Sequence, residues 1–102
     1  MSTPALSERQ LRYLRGRAHA LKPVILVGQN GLSANLITET RRALTDHELI
    51  KVRVRVADRD RREQLLAALT AATEATLVTR IGHVAVLFKP NEKLSRIPLP
   101  QA

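Results

Sequence analysis

The residues best suited to binding chemistry lie in a short loop between an apolar run and a predicted helix start. Gly28-Gln29-Asn30-Gly31 follows the apolar residues 24–27, and Ser33 is a suitable N-cap for a helix. Since glycine lacks a Cβ, both glycines can adopt positive φ and let a ligand backbone approach closely. The unpaired N–H groups at the helix start carry a partial positive charge that favours anions. The pattern therefore predicts a phosphate-binding loop; the alternative is a strand-to-helix turn in which the glycines serve geometry alone.

A row of alternating cations is the second candidate. In residues 49–56 the aliphatic positions 50, 52, 54 and 56 share one strand face, and Lys51, Arg53 and Arg55 share the other. At about 3.3 Å rise per residue these cations are roughly 6.6 Å apart, close to the spacing of successive phosphates in a nucleic-acid strand. The row is either a solvated sheet face or an anion-binding surface. We favour binding, because adjacent like charges repel one another unless an anion neutralises them.

The net charge indicates a polyanionic partner. The 102 residues fit one domain, and 17 Lys+Arg against 9 Asp+Glu give a formal net charge of +8. This excess favours nucleic acid first and an anionic membrane surface second. Cysteine is absent, and no apolar run approaches the roughly 20 residues that span a bilayer. Residues 1–5 lack a signal-peptide pattern, so we expect a cytoplasmic protein.

The remaining titratable residues do not suggest an enzyme. The histidines at 19, 47 and 83 fall singly in different predicted elements. His47 precedes Glu48, but a histidine at a helix end explains this pair without acid–base chemistry. The acids at 58, 60 and 63 lie among arginines, which is typical of a salt-bridged helix start. We therefore predict no catalysis, no metal and no cofactor.

Hydrophobic periodicity predicts three helices and four strands, ordered α-β-α-β-α-β-β. The helices begin at Ser7 (with Gln10 completing a capping box), at Ser33, and at Asp58 or Asp60. Strands are predicted at 24–27, 49–56, 76–81 and 84–89, with Gly82-His83 as a hairpin turn. This order predicts a compact single-domain α/β sandwich with one four-stranded mixed sheet, whose first two strands are parallel with a right-handed crossover. The predicted core-facing helix residues are Leu11, Leu14, Ala18, Leu21, Leu36, Ile37, Ala43, Leu44, Leu65, Leu66, Leu69 and Ala72. The segment from Pro90, which includes Lys93 and Arg96, is expected to be extended or mobile.

Three segments together resemble the CRM domain (chloroplast RNA splicing and ribosome maturation), specifically its stand-alone bacterial YhbY type. They are Leu21–Val24 running into Gly28–Leu32, then His47–Val52, and finally Ile81-Gly82 through Leu87–Pro90. The resemblance covers residues 7–98 and leaves 1–6 and 99–102 as tails. It implies a fold similar to the C-terminal domain of translation initiation factor three, and RNA binding through the GxxG loop and the adjoining basic surface.

The resemblance also implies roles for individual residues. It favours backbone contact at residues 28–31 and places the charge of Lys22 near that loop. Lys51 and Lys89 match basic positions that are either structural or RNA-facing. Bacterial members of the family are associated with precursors of the large ribosomal subunit, and plant relatives with group II intron splicing.

Two features of this chain modify that expectation. Family loops frequently hold a lysine or arginine between the glycines, whereas this loop holds Gln29 and Asn30, which shifts electrostatic weight to Lys22, Arg41 and Arg42. The only aromatic residues are Tyr13 and Phe88. Proteins that grip single strands by stacking usually have more aromatic side chains, so we expect recognition of structured RNA through phosphate and shape.

The function predicted from the sequence is a non-catalytic, monomeric RNA-binding protein that acts in assembly of the large ribosomal subunit. Its expected partner is large-subunit ribosomal RNA or the precursor particle, with no membrane and no small-molecule substrate. One alternative is a double-stranded DNA-binding protein, although no helix-turn-helix or dimer-forming heptad is evident. The other is an adaptor that binds a ribosomal protein through the sheet face and the tail.

Overall fold

The predicted order of helices and strands is confirmed. A computed structural model describes residues 5–91 and 95–101. Its elements are α1 (Glu8–Ala18), β1 (Pro23–Val27), α2 (Ala34–His47), β2 (Leu49–Val54), α3 (Arg59–Thr73), β3 (Thr76–Ile81) and β4 (Val84–Phe88). Strand β2 ends two residues earlier than predicted because its neighbour β4 begins at Val84, opposite Arg53.

The four strands form one mixed sheet in the order β1-β2-β4-β3. Strands β1 and β2 run parallel, as predicted for strands joined through a helix, and the other two pairs are antiparallel. The hairpin turn at Gly82-His83 is also confirmed, and Gly82 has a φ of +59°, a left-handed value that glycine adopts without strain. The central strands β2 and β4 are therefore paired on both sides, whereas β1 and β3 are the edges.

Each face of the sheet carries its own apolar cluster. On one face, the aliphatic row of β2 packs with Leu44 of α2 and with Leu66 and Leu69 of α3. On the other face, Leu14 and Ala18 of α1 pack with Leu49, Phe88 and other residues of the sheet. The alternation in β2 is confirmed, since Val52 is fully buried while Arg53 is exposed. One sheet thus supports helices on both sides, which gives the predicted sandwich.

The predicted N-caps explain where the first two helices begin. The Ser7 hydroxyl accepts from the backbone N–H of Gln10 at 3.1 Å, and the Gln10 side chain accepts from the backbone N–H of Ser7 at 3.0 Å. Ser33 caps α2 by accepting from the N–H of Leu36 at 3.1 Å. Asp58 is the N-cap residue of α3, but its side chain makes no capping hydrogen bond.

A buried carboxylate joins the end of α2 to the C-terminal segment. Glu48 is fully buried and follows α2 with a φ of +64°. Its carboxylate accepts from the N–H of Asn91 at 2.8 Å, the hydroxyl of Ser95 at 2.7 Å and the N–H of Arg96 at 2.5 Å. Because these donors lie more than 40 residues further along the chain, Glu48 fixes the segment after β4 against the sheet. We call Glu48 and its three donors the carboxylate clamp.

The described part of that segment has no helix or strand, and it packs against α1 and the sheet. Ile97 is buried in the α1 cluster, and Leu99 packs against it. The carbonyl of Pro100 accepts from the Gln10 side chain at 3.0 Å. Lys93 and the tail residues 1–4 lie outside the described residues. The clamp and these contacts therefore make the C-terminal segment a cover for the α1 face of the sheet.

Candidate nucleic-acid interface

The glycine loop is a tight turn at the carboxyl end of β1. The N–H of Gly31 donates to the carbonyl of Gly28 at 3.0 Å, and Gln29 and Asn30 between them are exposed. Gly31 has a φ of +78°, whereas Gly28 lies outside the left-handed region. Only one of the two glycines therefore uses the positive φ that the sequence suggested for both. The turn presents its central residues to solvent just before α2 begins.

The first turn of α3 supports the loop from behind. The guanidinium Nη2 of Arg61 donates to the carbonyl of Gln29 at 3.1 Å. A Cβ at position 31 would lie 3.4 Å from this nitrogen and 3.4 Å from Cδ2 of Leu65. The sequence had indicated only a salt-bridged helix start here, so the role of Arg61 was missed. The contact joins residues 32 positions apart, and a local sequence pattern does not predict such a contact.

Gly31 is therefore expected to serve the geometry of the turn. A Gly31→Ala variant should lose about 1–2 kcal/mol of unfolding free energy, because an alanine pays a steric cost in the left-handed conformation. The measurement is urea denaturation of the variant and the wild-type protein. Gly28→Ala is the matched control and should unfold with the wild type, since no atom lies within 4 Å of its added Cβ. Equal losses in both variants would contradict this assignment.

The loop, the cation row and the hairpin meet at an open groove of about 580 Å³. We call it the loop groove; Gln29, Arg53, Arg55 and His83 are among the residues that line it. Arg53 and Arg55 are exposed there, and the backbone N–H of Arg55 donates to the carbonyl of Val27 at 2.7 Å. The structure thus brings the predicted loop and two members of the predicted cation row together.

His83 joins this site through Arg62. A guanidinium nitrogen of Arg62 donates to the carbonyls of Val56 and Ala57, both at 2.8 Å, and lies 3.3 Å from Nε2 of His83. Arg62 therefore holds the start of α3, the end of β2 and the hairpin turn together. The sequence placed His83 in a turn but gave no reason to place that turn beside the glycine loop.

The electrostatics of this end of the molecule favour an anion. Arg53, Arg55 and Arg61 are exposed around the loop, and the first turn of α2 carries no acidic residue that would occupy its N-terminus. Asp58 and Asp60 lie at the start of α3 and offset part of this charge. Unpaired N–H groups at a helix start and guanidinium groups both bind phosphate oxygens well. The loop groove can therefore hold phosphate groups of a polyanion.

Lys22 and Lys51 lie elsewhere. Lys22 precedes β1, whereas the loop follows it, so six residue steps at about 3.3 Å separate Lys22 from Gly28 by roughly 20 Å. Lys22 and the loop therefore lie at opposite ends of β1, because sequence proximity along an extended strand is not spatial proximity, and the RNA contact of Lys22 stays a prediction. Lys22 and Lys51 instead line a second groove at the opposite end of β1.

The other predicted cations divide between structural and exposed positions. Arg41 donates from Nη2 to the carbonyl of Ala72 at 2.7 Å and so connects α2 to α3. Lys89 is half-buried and donates from Nζ to the carbonyl of Thr73 at 3.2 Å, which favours the structural alternative for this residue. Arg42 is exposed on α2. These three remain predicted RNA contacts, but only Arg42 is without a hydrogen bond or ion pair among the described residues.

Within residues 5–91 and 95–101, no group of three His, Asp or Glu side chains could hold a metal ion. No helix in that part is long and apolar enough to cross a membrane.

The fold and the loop groove define a basic α/β module with a glycine loop and exposed arginines at one end of its sheet. The CRS1 / YhbY (CRM) domain pattern matches residues 6–89. This chain belongs to the CRM family, as the resemblance predicted. An "RNA-binding protein" of Haemophilus influenzae is 43% identical over 96 residues, covering 94% of this chain and 96% of that protein. A Pseudomonas aeruginosa protein named "Probable RNA-binding protein" is 43% identical over 97 residues, covering 91% of this chain and 93% of its own length.

A solved structure confirms the fold. The solution structure of a hypothetical protein from Staphylococcus aureus superposes with a TM-score of 0.79 at 34% sequence identity. The match covers 94% of this chain and all of that one. The predicted arrangement of three helices on a four-stranded mixed sheet is therefore shared with a solved relative.

Proposed function

We propose that this protein is a non-catalytic RNA-binding protein of the cytoplasm that assists assembly of the large ribosomal subunit. The observation that carries the proposal is the convergence of the glycine loop, Arg53, Arg55 and Arg61 at one end of the sheet. The names of the Haemophilus and Pseudomonas relatives support RNA as the ligand. The ribosomal role rests on the family resemblance, and the monomeric state on the single compact domain.

The mechanism is capture of the RNA backbone at the loop groove. The exposed backbone at Gln29 and Asn30 approaches the phosphates, and the start of α2 adds its unpaired N–H groups. Arg53 and Arg55 neutralise further phosphates and release their counterions, which makes the affinity depend on salt. Arg61 keeps the loop in its bound conformation by holding the carbonyl of Gln29. Binding of this kind selects backbone shape and charge over base sequence.

The test is fluorescence anisotropy with an RNA duplex over a series of salt concentrations. An Arg55→Ala variant is expected to bind several-fold more weakly and to reduce the slope of log K against log salt by about 1, because one phosphate contact is lost. Arg12→Ala, which removes an exposed arginine of α1, is the control and should retain the wild-type slope. Identical slopes for both variants would contradict a phosphate contact at Arg55.

Three further experiments separate the alternatives. Competition with a DNA duplex of the same sequence should displace little RNA if the protein recognises A-form geometry. Crosslinking and sequencing of bound RNA in growing cells should enrich large-subunit ribosomal RNA or its precursor at a few sites. Signal spread evenly over all cellular RNA would remove the ribosomal part of the proposal. Ribosome association that survives nuclease treatment would favour the adaptor.

A further inference from the structure

A second groove lies at the end of the sheet away from the glycine loop. It has a volume of about 470 Å³ and lies between the end of α1, the start of β1, the end of α2 and the C-terminal segment. We call it the distal groove. This volume is in the range of pockets that hold small organic groups such as a nucleobase.

The distal groove has its own excess of positive charge. Arg17, Lys22, Lys51 and Arg96 line it, against the single acid Asp46. Arg96 is partly engaged, since its guanidinium donates to the carbonyl of Asp46 and its Nε lies 4.0 Å from Glu48. Among the described residues, neither lysine has an ion-pair partner. The two lysines can therefore meet phosphates without breaking an ion pair to any residue in 5–91 or 95–101.

Arg17 lines this groove, and its guanidinium contacts Tyr13 one turn earlier in α1. Its guanidinium carbon lies 5.8 Å from the centroid of the Tyr13 ring, and its Nη1 donates to the Tyr13 hydroxyl at 3.2 Å. The ring and the hydroxyl together favour one position of this exposed guanidinium. Guanidinium planes, like aromatic rings, serve as stacking surfaces for unpaired RNA bases. Arg17 thus offers a stacking surface in a chain that has only two aromatic residues.

The rest of the lining suits a base better than a phosphate alone. Leu21, Val24 and Leu49 give the groove an apolar part, and Val24 keeps 49% of its surface exposed on the edge strand. A phosphate gains nothing from such a surface, whereas the ring of a base can be desolvated against it. Asp46 repels phosphate but accepts hydrogen bonds from base N–H groups. Apolar, acceptor and cationic groups are therefore combined in one groove.

We propose that the distal groove binds one unpaired RNA base, which stacks on Arg17 while neighbouring phosphates contact Lys22 and Lys51. This inference rests on the proposed function, because it needs an RNA already held at the loop groove. Leu26 pairs with Arg53, and both are exposed; Pro23 pairs with Lys51, and both are half-buried, so a solvent-accessible strip of β1 and β2 connects the two grooves. The RNA strand leaves the loop groove, follows this strip for roughly 20 Å, and places its unpaired base in the distal groove.

The test compares two RNAs by anisotropy: a blunt duplex, and the same duplex with a single-stranded overhang long enough to follow β1. The wild type is expected to bind the overhang RNA about tenfold more tightly, as stacking of one base provides. Arg17→Lys keeps the charge but removes the plane, so this variant should lose most of that preference. Arg12→Lys, the same change at an exposed position of α1, should keep it.

The outcomes distinguish this proposal from the proposed function. Equal binding of both RNAs by the wild type would contradict base binding in the distal groove, but it would not contradict RNA binding at the loop groove. An overhang preference that survives Arg17→Lys would overturn the stacking role of Arg17. Absence of binding to either RNA would overturn both proposals. A photoactivatable uridine in the overhang should also crosslink to residues 17–24 or 46–51, and crosslinks confined to residues 28–31 would contradict the assignment.

Discussion

A Gly28→Asp variant is expected to bind RNA at least about tenfold more weakly than the wild type while it unfolds at the same temperature. The added carboxylate would lie in the glycine turn next to Gln29, which lines the loop groove, and the proposed ligand carries negative charge there. At 4 Å a pair of like charges costs about 1 kcal/mol in bulk water and about 4 kcal/mol at the effective dielectric constant near a protein surface, and these values bracket the roughly 1.4 kcal/mol that corresponds to this factor. The fold should tolerate the change, because the space around a Cβ at this position is open.

A matched control exists elsewhere in the chain. Gly16 lies on the exposed side of α1, and a Cβ there also meets no atom within 4 Å. Gly16→Asp makes the same change in charge and volume without altering the loop, so its RNA affinity should stay within about twofold of the wild type under moderate salt. Anisotropy gives the affinities, and thermal melting checks the fold. If both aspartates weakened binding equally, net charge rather than the loop would govern affinity.

A Glu48→Gln variant is expected to lose about 2–4 kcal/mol of unfolding free energy, the largest effect on stability that we predict. Glutamine keeps the size of the side chain but has only one acceptor oxygen for the three donors of the carboxylate clamp. Its amide nitrogen would also face N–H groups at close range. Glu39→Gln, on the exposed side of α2, is the control and should be nearly neutral. A wild-type urea midpoint for Glu48→Gln would show that the clamp contributes no net stability.

The Glu48 carboxylate also makes the unfolding free energy depend on pH, and the direction of the pKa shift sets the sign of that dependence. Burial raises the pKa of Glu48. Three hydrogen bonds lower it, and their donors are the N–H of Arg96, the N–H of Asn91 and the Ser95 hydroxyl. The charge of Arg96 lowers it as well, and the net effect is a lowered pKa. The pKa in the folded state is thus below that of the unfolded chain, about 4.3. The clamp therefore contributes fully above that value and loses its contribution as pH falls through the folded-state pKa. Between neutral and acidic pH, the stability gap between wild type and Glu48→Gln should narrow.

Local patterns predicted most of the fold. The capping box at Ser7 and Gln10, the cap at Ser33, and the strict alternation from Ile50 to Val56 each depend on residues a few positions apart. Such short-range chemistry is what hydrophobic period and helix-cap rules capture. The parallel pairing of β1 with β2 followed from the helix between them, which must cross over the sheet. The glycine loop was recognised for the same reason, since its pattern is contiguous.

The site was less predictable because its contacts are long-range. Arg61 meets the carbonyl of Gln29 across 32 positions of the chain, and His83 reaches the groove by way of a hairpin turn. The sequence draws attention to Glu48 only because it follows His47, whereas the donors to its carboxylate lie at positions 91, 95 and 96. Lys22 was placed beside the loop although the length of β1 separates them. In each case the packing of helices and strands decides which residues are close in space, and residues a few positions apart in the sequence do not indicate it.

The carboxylate clamp also determines how much chain the autonomous folding unit requires. The recognisable family pattern ends at residue 89, yet every donor to the Glu48 carboxylate comes after it. A fragment that ends at residue 89 would keep every helix and strand. It would nevertheless leave the buried Glu48 carboxylate without its donors. It would also uncover the apolar residues that Ile97 shields. We therefore expect the shortest fragment that folds independently to extend past residue 97, beyond the end of the family match at residue 89.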